Sequence, residues 1–298
     1  MYPRSFHYHR AGSLEDAVSM LSSLGPEARL LAGGQSLIPL MKLRLAAPEH
    51  LVDMNFAPGL SYVDSAGSQL RIGAMTRHAE LEASAGASSI PILHDCAAGI
   101  ADVQIRNRGT LGGSLAEADP TGDWAPVLLT LDAEVHCESP RGERDVALPD
   151  FTQDAFTTVL SADELISEIA VTLPAGRTGG AYMAAKRCAP VYASASTAVQ
   201  LTMEDDSHCR EARIALGAVG LTAIRASEAE AQLRGHAVDA KSIASAADAA
   251  MSAADPQSDM RGSADYKRTL VRTLVSRTLD AALRRSRGQS VEVGHFYA

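Results

Sequence analysis

Two glycine pairs limit what this chain can become more than any other feature. The first lies in Leu30-Leu31-Ala32-Gly33-Gly34-Gln35-Ser36-Leu37, and the second in Arg106-Asn107-Arg108-Gly109-Thr110-Leu111-Gly112-Gly113-Ser114. In the first, a short buried strand runs into a double glycine, then small polar residues, then a helical pattern. Without a Cβ, consecutive backbone N–H groups converge on an anion. A helix start just behind adds its positive end. The second pair is flanked by Thr110 and Ser114 and followed by Asp119-Pro120 and Asp123. Two such loops in one α/β unit can hold the two halves of a pyrophosphate, with Asp123 spaced to accept from a sugar or a nucleotide amine. Taken singly, a double glycine after a strand is more often a tight turn or bulge. Neither G-x-G-x-x-G nor a glycine before lysine occurs, which excludes the Rossmann fingerprint and the Walker A loop.

The pattern around these loops divides the chain. Leu14 to Leu24 predicts a helix capped by Ser13, with Asp16 completing an approximate capping box and Gly25 as its stop. Arg29 to Ala32 and Val52 to Met54 read as short strands and Leu37 to Leu45 as a helix, making residues 1–55 a small α/β unit. In residues 56–175, Leu60–Val63 and Leu70–Ile72 suggest an antiparallel pair. Helices are expected at His78–Ser84 (capped by Thr76), Pro91–Asp102 and Trp124–Leu131, and strands at Ala133–Cys137 and within Asp163–Leu173. Arg106 to Asp123 reads as a polar, glycine-rich loop. Pro174 to Gly180 is the expected linker. Beyond it, strands at Ala193–Met203 and Arg210–Val219 and helices at Ala229–Leu233, Lys241–Ala254 and Tyr266–Arg287 make residues 176–288 a separate α+β domain. Residues 289–298 are a tail.

Composition removes several function classes. The formal net charge of −9, with no basic run, disfavours nucleic acid and anionic membrane as partners. No apolar run reaches the ~18–20 residues that cross a bilayer. Met1 to Arg10 has no apolar h-region and no paired arginines, which argues against secretory or twin-arginine export. Cys96, Cys137, Cys188 and Cys209 form no C-x-x-C pair, so spacing gives neither a zinc site nor an iron–sulfur cluster, and scattered thiols fit a reducing cytoplasm. No H-E-x-x-H or G-x-S-x-G occurs, so hydrolase motifs are absent. Redox chemistry must then come from a bound organic cofactor or a partner.

Four segments together resemble one family. Leu31-Ala32-Gly33-Gly34-Gln35-Ser36-Leu37-Ile38-Pro39-Leu40-Met41 is similar to the first FAD loop of the medium subunits of molybdenum hydroxylases, the relatives of carbon monoxide and xanthine dehydrogenases. Thr110-Leu111-Gly112-Gly113-Ser114 with Ala118-Asp119-Pro120 and Asp123 resembles the second loop. Arg213 to Gly220 and Ser258 to Tyr266 resemble the C-terminal domain of that family. The likeness runs in order over nearly the whole chain. It departs from the common pattern only mildly, with Ser114 where xanthine dehydrogenases carry Asn and Leu111 for the commoner Ile.

The resemblance implies an α+β chain with a vanillyl-alcohol-oxidase-type (PCMH-like) FAD-binding domain of two α/β subdomains at 1–175, followed by the flavoprotein C-terminal domain. Leu30, Leu31, Ala32, Gly33, Gly34, Gln35, Ser36 and Leu37, with Thr110, Leu111, Gly112, Gly113 and Ser114, would supply backbone N–H groups to the pyrophosphate. A Cβ at Gly113 would collide with it. Asp123 would bind near ribose or ribityl hydroxyls. Ile100 would touch the flavin, Leu165 or Ile166 the adenine, and Lys186 and Tyr192 would lie near the cofactor. Neither loop carries His or Cys where a flavin attaches, so FAD would be held non-covalently, with no metal in this chain. A small subunit with [2Fe–2S] clusters and a large molybdenum–pterin subunit would be partners, in a dimer of heterotrimers. Electrons would leave to NAD, a quinone or oxygen, and no catalytic acid or base is expected. Two other readings stand beside this one: a self-contained FAD oxidase, and a scaffold subunit that has lost its flavin.

Overall fold

The computed structural model describes residues 2–294 and 296–297; Met1, and residues 295 and 298 of the expected tail, lie outside the described residues. The first unit contains β1 (His7–Arg10), α1 (Leu14–Leu24), β2 (Ala28–Leu31), α2 (Leu37–Leu43) and β3 (His50–Asp53). Its three strands are parallel in the order β1-β3-β2. Ser13 caps α1 by accepting from the Asp16 N–H at 3.1 Å, while the Asp16 carboxylate accepts from Gly12 N–H rather than from Ser13, one residue outside the expected box. Ala17 and Leu21 of α1 pack on Ala28 and Val52 of the sheet.

The second unit runs through β4 (Val63–Ala66), β5 (Gln69–Gly73), α3 (His78–Ala83), α4 (Ala85–Ser88), α5 (Pro91–Gly99), α6 (Val103–Arg106), α7 (Leu111–Glu117), α8 (Trp124–Thr130), β6 (Glu134–Ser139), β7 (Gly142–Ala147), α9 (Leu148–Phe151), β8 (Thr152–Asp154), β9 (Thr157–Thr158) and β10 (Leu165–Thr172). Five strands order as β4-β5-β10-β6-β7, and β8 pairs with β9. The strand expected at Leu60–Val63 begins only at Val63. Residues before it still run beside the next strand through Gly73 N–H to Tyr62 O and Met75 N–H to Leu60 O. Thr76 does not cap α3. Its hydroxyl is engaged with the Tyr62 backbone, and the cap is Arg77, whose N–H donates to Glu80. The polar stretch expected as a loop from Arg106 to Asp123 holds the last residue of α6 and all of α7. Thr110 starts α7 by accepting from Gly113 N–H.

The third unit contains β11 (Arg177–Lys186), β12 (Ala195–Met203), β13 (Cys209–Gly217), β14 (Ile224–Arg225), α10 (Ser227–Ala231), α11 (Ala240–Ala253), α12 (Ala264–Ser286) and β15 (Phe296–Tyr297), with sheet order β14-β13-β12-β11-β15. The expected linker is shorter than its composition suggests, because β11 starts at Arg177. A Cβ at Gly179 would run into the Ala282 carbonyl of α12, and one at Gly180 would lie 3.2 Å from Ile92 of α5. These glycines serve close packing. One face of the sheet is covered by α11 and α12. From the other, Tyr182, Ala184, Ala198 and Ala215 join the core of the second unit around Trp124 and Leu128. Arg285 of α12 bridges the units: its Nη2 lies 2.9 Å from the Asp95 carboxylate of α5, and its Nη1 donates to the same carboxylate and to Gly180 O. No described helix is long and apolar enough to cross a membrane.

Candidate functional site

A cavity of about 770 Å³ lies where the three units meet, within the range of about 300–1,000 Å³ usual for cofactor sites. β2 feeds directly into its wall. After Leu31 the chain leaves the sheet, and α2 begins at Leu37. Among the described residues, none of the N–H groups from Ala32 to Leu37 has an acceptor within the chain. The carbonyls beside them do have partners: Asn55 Nδ2 donates to Ala32 O at 2.9 Å and Gln35 Nε2 to Gly33 O at 3.1 Å. Gly34 takes a left-handed φ of +73°, which turns the row without the strain a side chain would bring. Six successive unengaged donors at the start of a helix offer the donor set of an anion cradle.

The second glycine pair does something else. Leu111 N–H donates to Thr76 O, Gly112 N–H to Ala74 O, Gly113 N–H to Thr110 Oγ1, and Ser114 N–H to Thr110 O, all at 2.9–3.1 Å. The expectation that Leu111 to Ser114 offer amides to a pyrophosphate is therefore corrected, since those donors are engaged in starting α7 and fastening it to the turn after β5. A Cβ at Gly112 would lie 2.6 Å from Ala74 Cβ, and one at Gly113 would lie 2.7 Å from Thr110 Oγ1. Gly112 brings α7 close to Ala74, Gly113 leaves room for the Thr110 cap, and the segment presents Thr110 and Ser114 to the cavity. The two loops also touch. A Cβ at Gly33 would run into the Arg108 carbonyl and stand 2.7 Å from Gly109 Cα.

The structure brings most of the other expected residues to the same cavity. Leu30, Ala32, Gly33, Gly34, Gln35, Ser36, Leu37, Ile100, Thr110, Gly112, Gly113, Ser114, Asp123, Leu165, Ile166, Lys186 and Tyr192 border it. Leu31 and Leu111 do not. Leu111 is fully buried in the core of the second unit, and Leu31 packs behind Gly34. Leu165 and Ile166 both reach the cavity. The alternation of β10 sends Leu165 into the core of the first unit and Ile166 into that of the second, just before a bulge at Ser167.

Lys186 is buried, with Nζ 2.9 Å from Gly99 O and 3.2 Å from Asp123 Oδ1. The Tyr182 hydroxyl also donates to Asp123, and the Cys96 thiol to Asp123 O at 3.4 Å. Burial pushes the Cys96 thiol and the Tyr182 phenol well above their ordinary values, so both keep their protons. Tyr192 is half-exposed at the rim, near the Ser36 hydroxyl and 5.7 Å under the Arg261 guanidinium.

Sequence reasoning missed several wall residues. His78 is buried, and its Nδ1 accepts from Trp124 Nε1 at 3.2 Å. Indole only donates, so the imidazole is neutral with its proton on Nε2. Burial holds its pKa down to about 4. Phe156, Thr157, Thr158, Leu160 and Ser161, after β8, also line the cavity. Phe156 takes a left-handed φ of +56° in this turn, and no sequence motif marks it.

Residues 4–175 match the family described as the FAD binding domain in molybdopterin dehydrogenase, and residues 180–282 match the CO dehydrogenase flavoprotein C-terminal domain. The chain belongs to the FAD-binding medium subunits of the molybdenum hydroxylases. It is 42% identical to the 6-hydroxypseudooxynicotine dehydrogenase complex subunit alpha of Paenarthrobacter nicotinovorans, over 99% of this chain and 100% of that one. It is 40% identical to the carbon monoxide dehydrogenase medium chain of Hydrogenophaga pseudoflava, over 95% and 98%. A solved structure of carbon monoxide dehydrogenase from Hydrogenophaga pseudoflava superposes with a TM-score of 0.93 at 41% identity, covering 96% of this chain and 99% of that one. The cradle fits the family's cofactor, because FAD carries one pyrophosphate anion and the cradle offers a row of unengaged amides, two of them on glycines.

Proposed function

We propose that this chain is the electron-transfer flavoprotein of a multi-subunit molybdenum hydroxylase. It holds FAD non-covalently, receives electrons from [2Fe–2S] clusters of a small subunit, and passes them to NAD, a quinone or oxygen. The observation that carries the reading is the row of unengaged amides from Ala32 to Leu37. FAD, when bound, supplies a ring system that takes up and releases electrons. The chain's own residues hold and orient it. Ala32 to Leu37 take the pyrophosphate, and the Thr110 and Ser114 hydroxyls face it from the opposite loop. Asp123, fixed by Tyr182 and Lys186, accepts from ribityl or ribose hydroxyls. Ile100, Lys186 and Tyr192 flank the flavin, and Leu165 and Ile166 the adenine.

Residues 1–175 act as the FAD-binding unit and 176–288 as the unit that closes the cavity with Lys186 and Tyr192. The large molybdenum–pterin subunit and the small iron–sulfur subunit complete a heterotrimer, paired as a dimer in the cytoplasm. Relatives named for carbon monoxide and for 6-hydroxypseudooxynicotine are about equally similar to this chain, at 40% and 42% identity. Such unlike substrates on such similar medium subunits support a substrate site in another subunit.

The test is anaerobic reduction. Substrate of the assembled enzyme is expected to bleach the flavin in the complex and to leave the flavin of the isolated chain oxidised. Bleaching of the isolated chain would favour a self-contained oxidase, and near-zero flavin in the intact complex a scaffold.

A further inference from the structure

We infer that Asn55, which lies behind the cradle and does not line the cavity, is a positioning residue that aims the Gly33 amide at the bound pyrophosphate. The inference rests on the FAD reading above. Asn55 follows β3, and its Nδ2 donates to Ala32 O at 2.9 Å and to Asp53 Oδ1 at 2.6 Å. Ala32 C=O and Gly33 N–H belong to one planar peptide unit and point in opposite directions. Tying the carbonyl to Asn55 at the rear therefore turns the Gly33 N–H away from Asn55, toward the front. Gln35 repeats the device one residue on, with Nε2 on Gly33 O orienting the Gly34 N–H.

The orientation of the Asn55 carboxamide is itself fixed. A guanidinium only donates, and Arg77 Nη2 donates to Asn55 Oδ1. The carboxamide oxygen must face Arg77, which leaves its nitrogen for Ala32. Arg77 also donates through Nη1 to Arg108 O, the carbonyl against which Gly33 packs. Asp53 is held in turn by the Tyr8 hydroxyl at 2.6 Å and by Asn55 N–H at 2.9 Å. One chain of hydrogen bonds, Tyr8–Asp53–Asn55–Arg77, thus joins the rear of the first loop to the second.

The test uses the full chain, with FAD and riboflavin as ligands. Asn55→Asp keeps the shape but removes the donor and sets an oxygen against Ala32 O. The Kd for FAD is expected to rise about 10- to 100-fold, the range for misdirecting a hydrogen bond to a charged group. Affinity for riboflavin, which has no pyrophosphate, stays near that of the unaltered chain, and the ³¹P resonances of bound FAD shift. Arg77→Met, which removes the donor that anchors the carboxamide oxygen and the Arg108 carbonyl, lowers FAD affinity in the same selective way, and Arg77→Lys restores part of it. Unchanged FAD affinity in both Asn55→Asp and Arg77→Met overturns the inference, as does a parallel loss of FAD and riboflavin, which would mark a general structural role. An unaltered chain that binds no FAD would sink the underlying reading and the inference with it.

Discussion

Gly33 makes the tightest approach in the site, and nothing about it depends on ligand. A methyl group there meets the Arg108 carbonyl, which is held by Arg77 and cannot move freely. Gly33→Ala is expected to part the two loops, with at least a tenfold loss of FAD affinity and a destabilisation of about 1–3 kcal/mol. Titration with FAD and chemical denaturation measure the two effects. His78 gives a pH signature. Its imidazole is held near 4 by burial in the folded chain against 6.5 in the unfolded one. Between those values the unfolded chain binds a proton that the folded chain does not, so stability falls as pH falls from about 6.5 to about 4. The total at this site is roughly 3 kcal/mol. His78→Gln should flatten the profile in that window, and an unchanged slope would show that other groups carry it.

At the scale of elements, packing explains which parts of the fold can be read from sequence. Helices α1, α11 and α12 follow apolar spacing and side-chain caps that local chemistry fixes, and α8 follows its apolar run alone. β1 (HYHR) and β7 (GERDVA) escaped because they are edge strands with few apolar side chains. β11 and α7 escaped for the opposite reason. Each contains a glycine pair that composition assigns to a loop, although the glycines sit inside regular structure where another backbone or side chain lies within the space a Cβ would take. Two glycines in α7 cost about 1 kcal/mol each relative to alanine, and the Thr110 cap helps offset this. Thr110→Ala should destabilise the apo chain by about 1 kcal/mol, with Thr110→Ser largely neutral, as read by thermal melts. The Arg285–Asp95 pair has larger consequences. Both side chains are at least nine-tenths buried, so Arg285→Leu leaves a buried carboxylate without its cation. A loss of roughly 3–5 kcal/mol is expected by chemical denaturation. A loss below about 1 kcal/mol would mean that Asp95 is satisfied by its bond from Tyr182 N–H.

Across the whole molecule, three units with separate sheets share one cavity, and each gives it something different. The first gives the cradle, the second gives the Thr110–Ser114 wall, Asp123 and His78, and the third gives Lys186 and Tyr192. The first loop was legible because a strand, a glycine pair and a helix start follow one another in sequence. The roles of Asn55, Arg77 and His78 were not, because each depends on partners 22 to 46 residues away. The engagement of the α7 amides was hidden for the same reason, since Ala74 and Thr76 accept from them across the fold.

The most direct measurement of a bound flavin is the absorbance spectrum of the chain in its native complex, followed by acid precipitation and quantification of the supernatant. Bands near ~370 and ~450 nm are expected, with about one FAD per chain released into solution by acid. A colourless chain that refuses added FAD would contradict a bound flavin, and a pellet that stays yellow would contradict non-covalent binding.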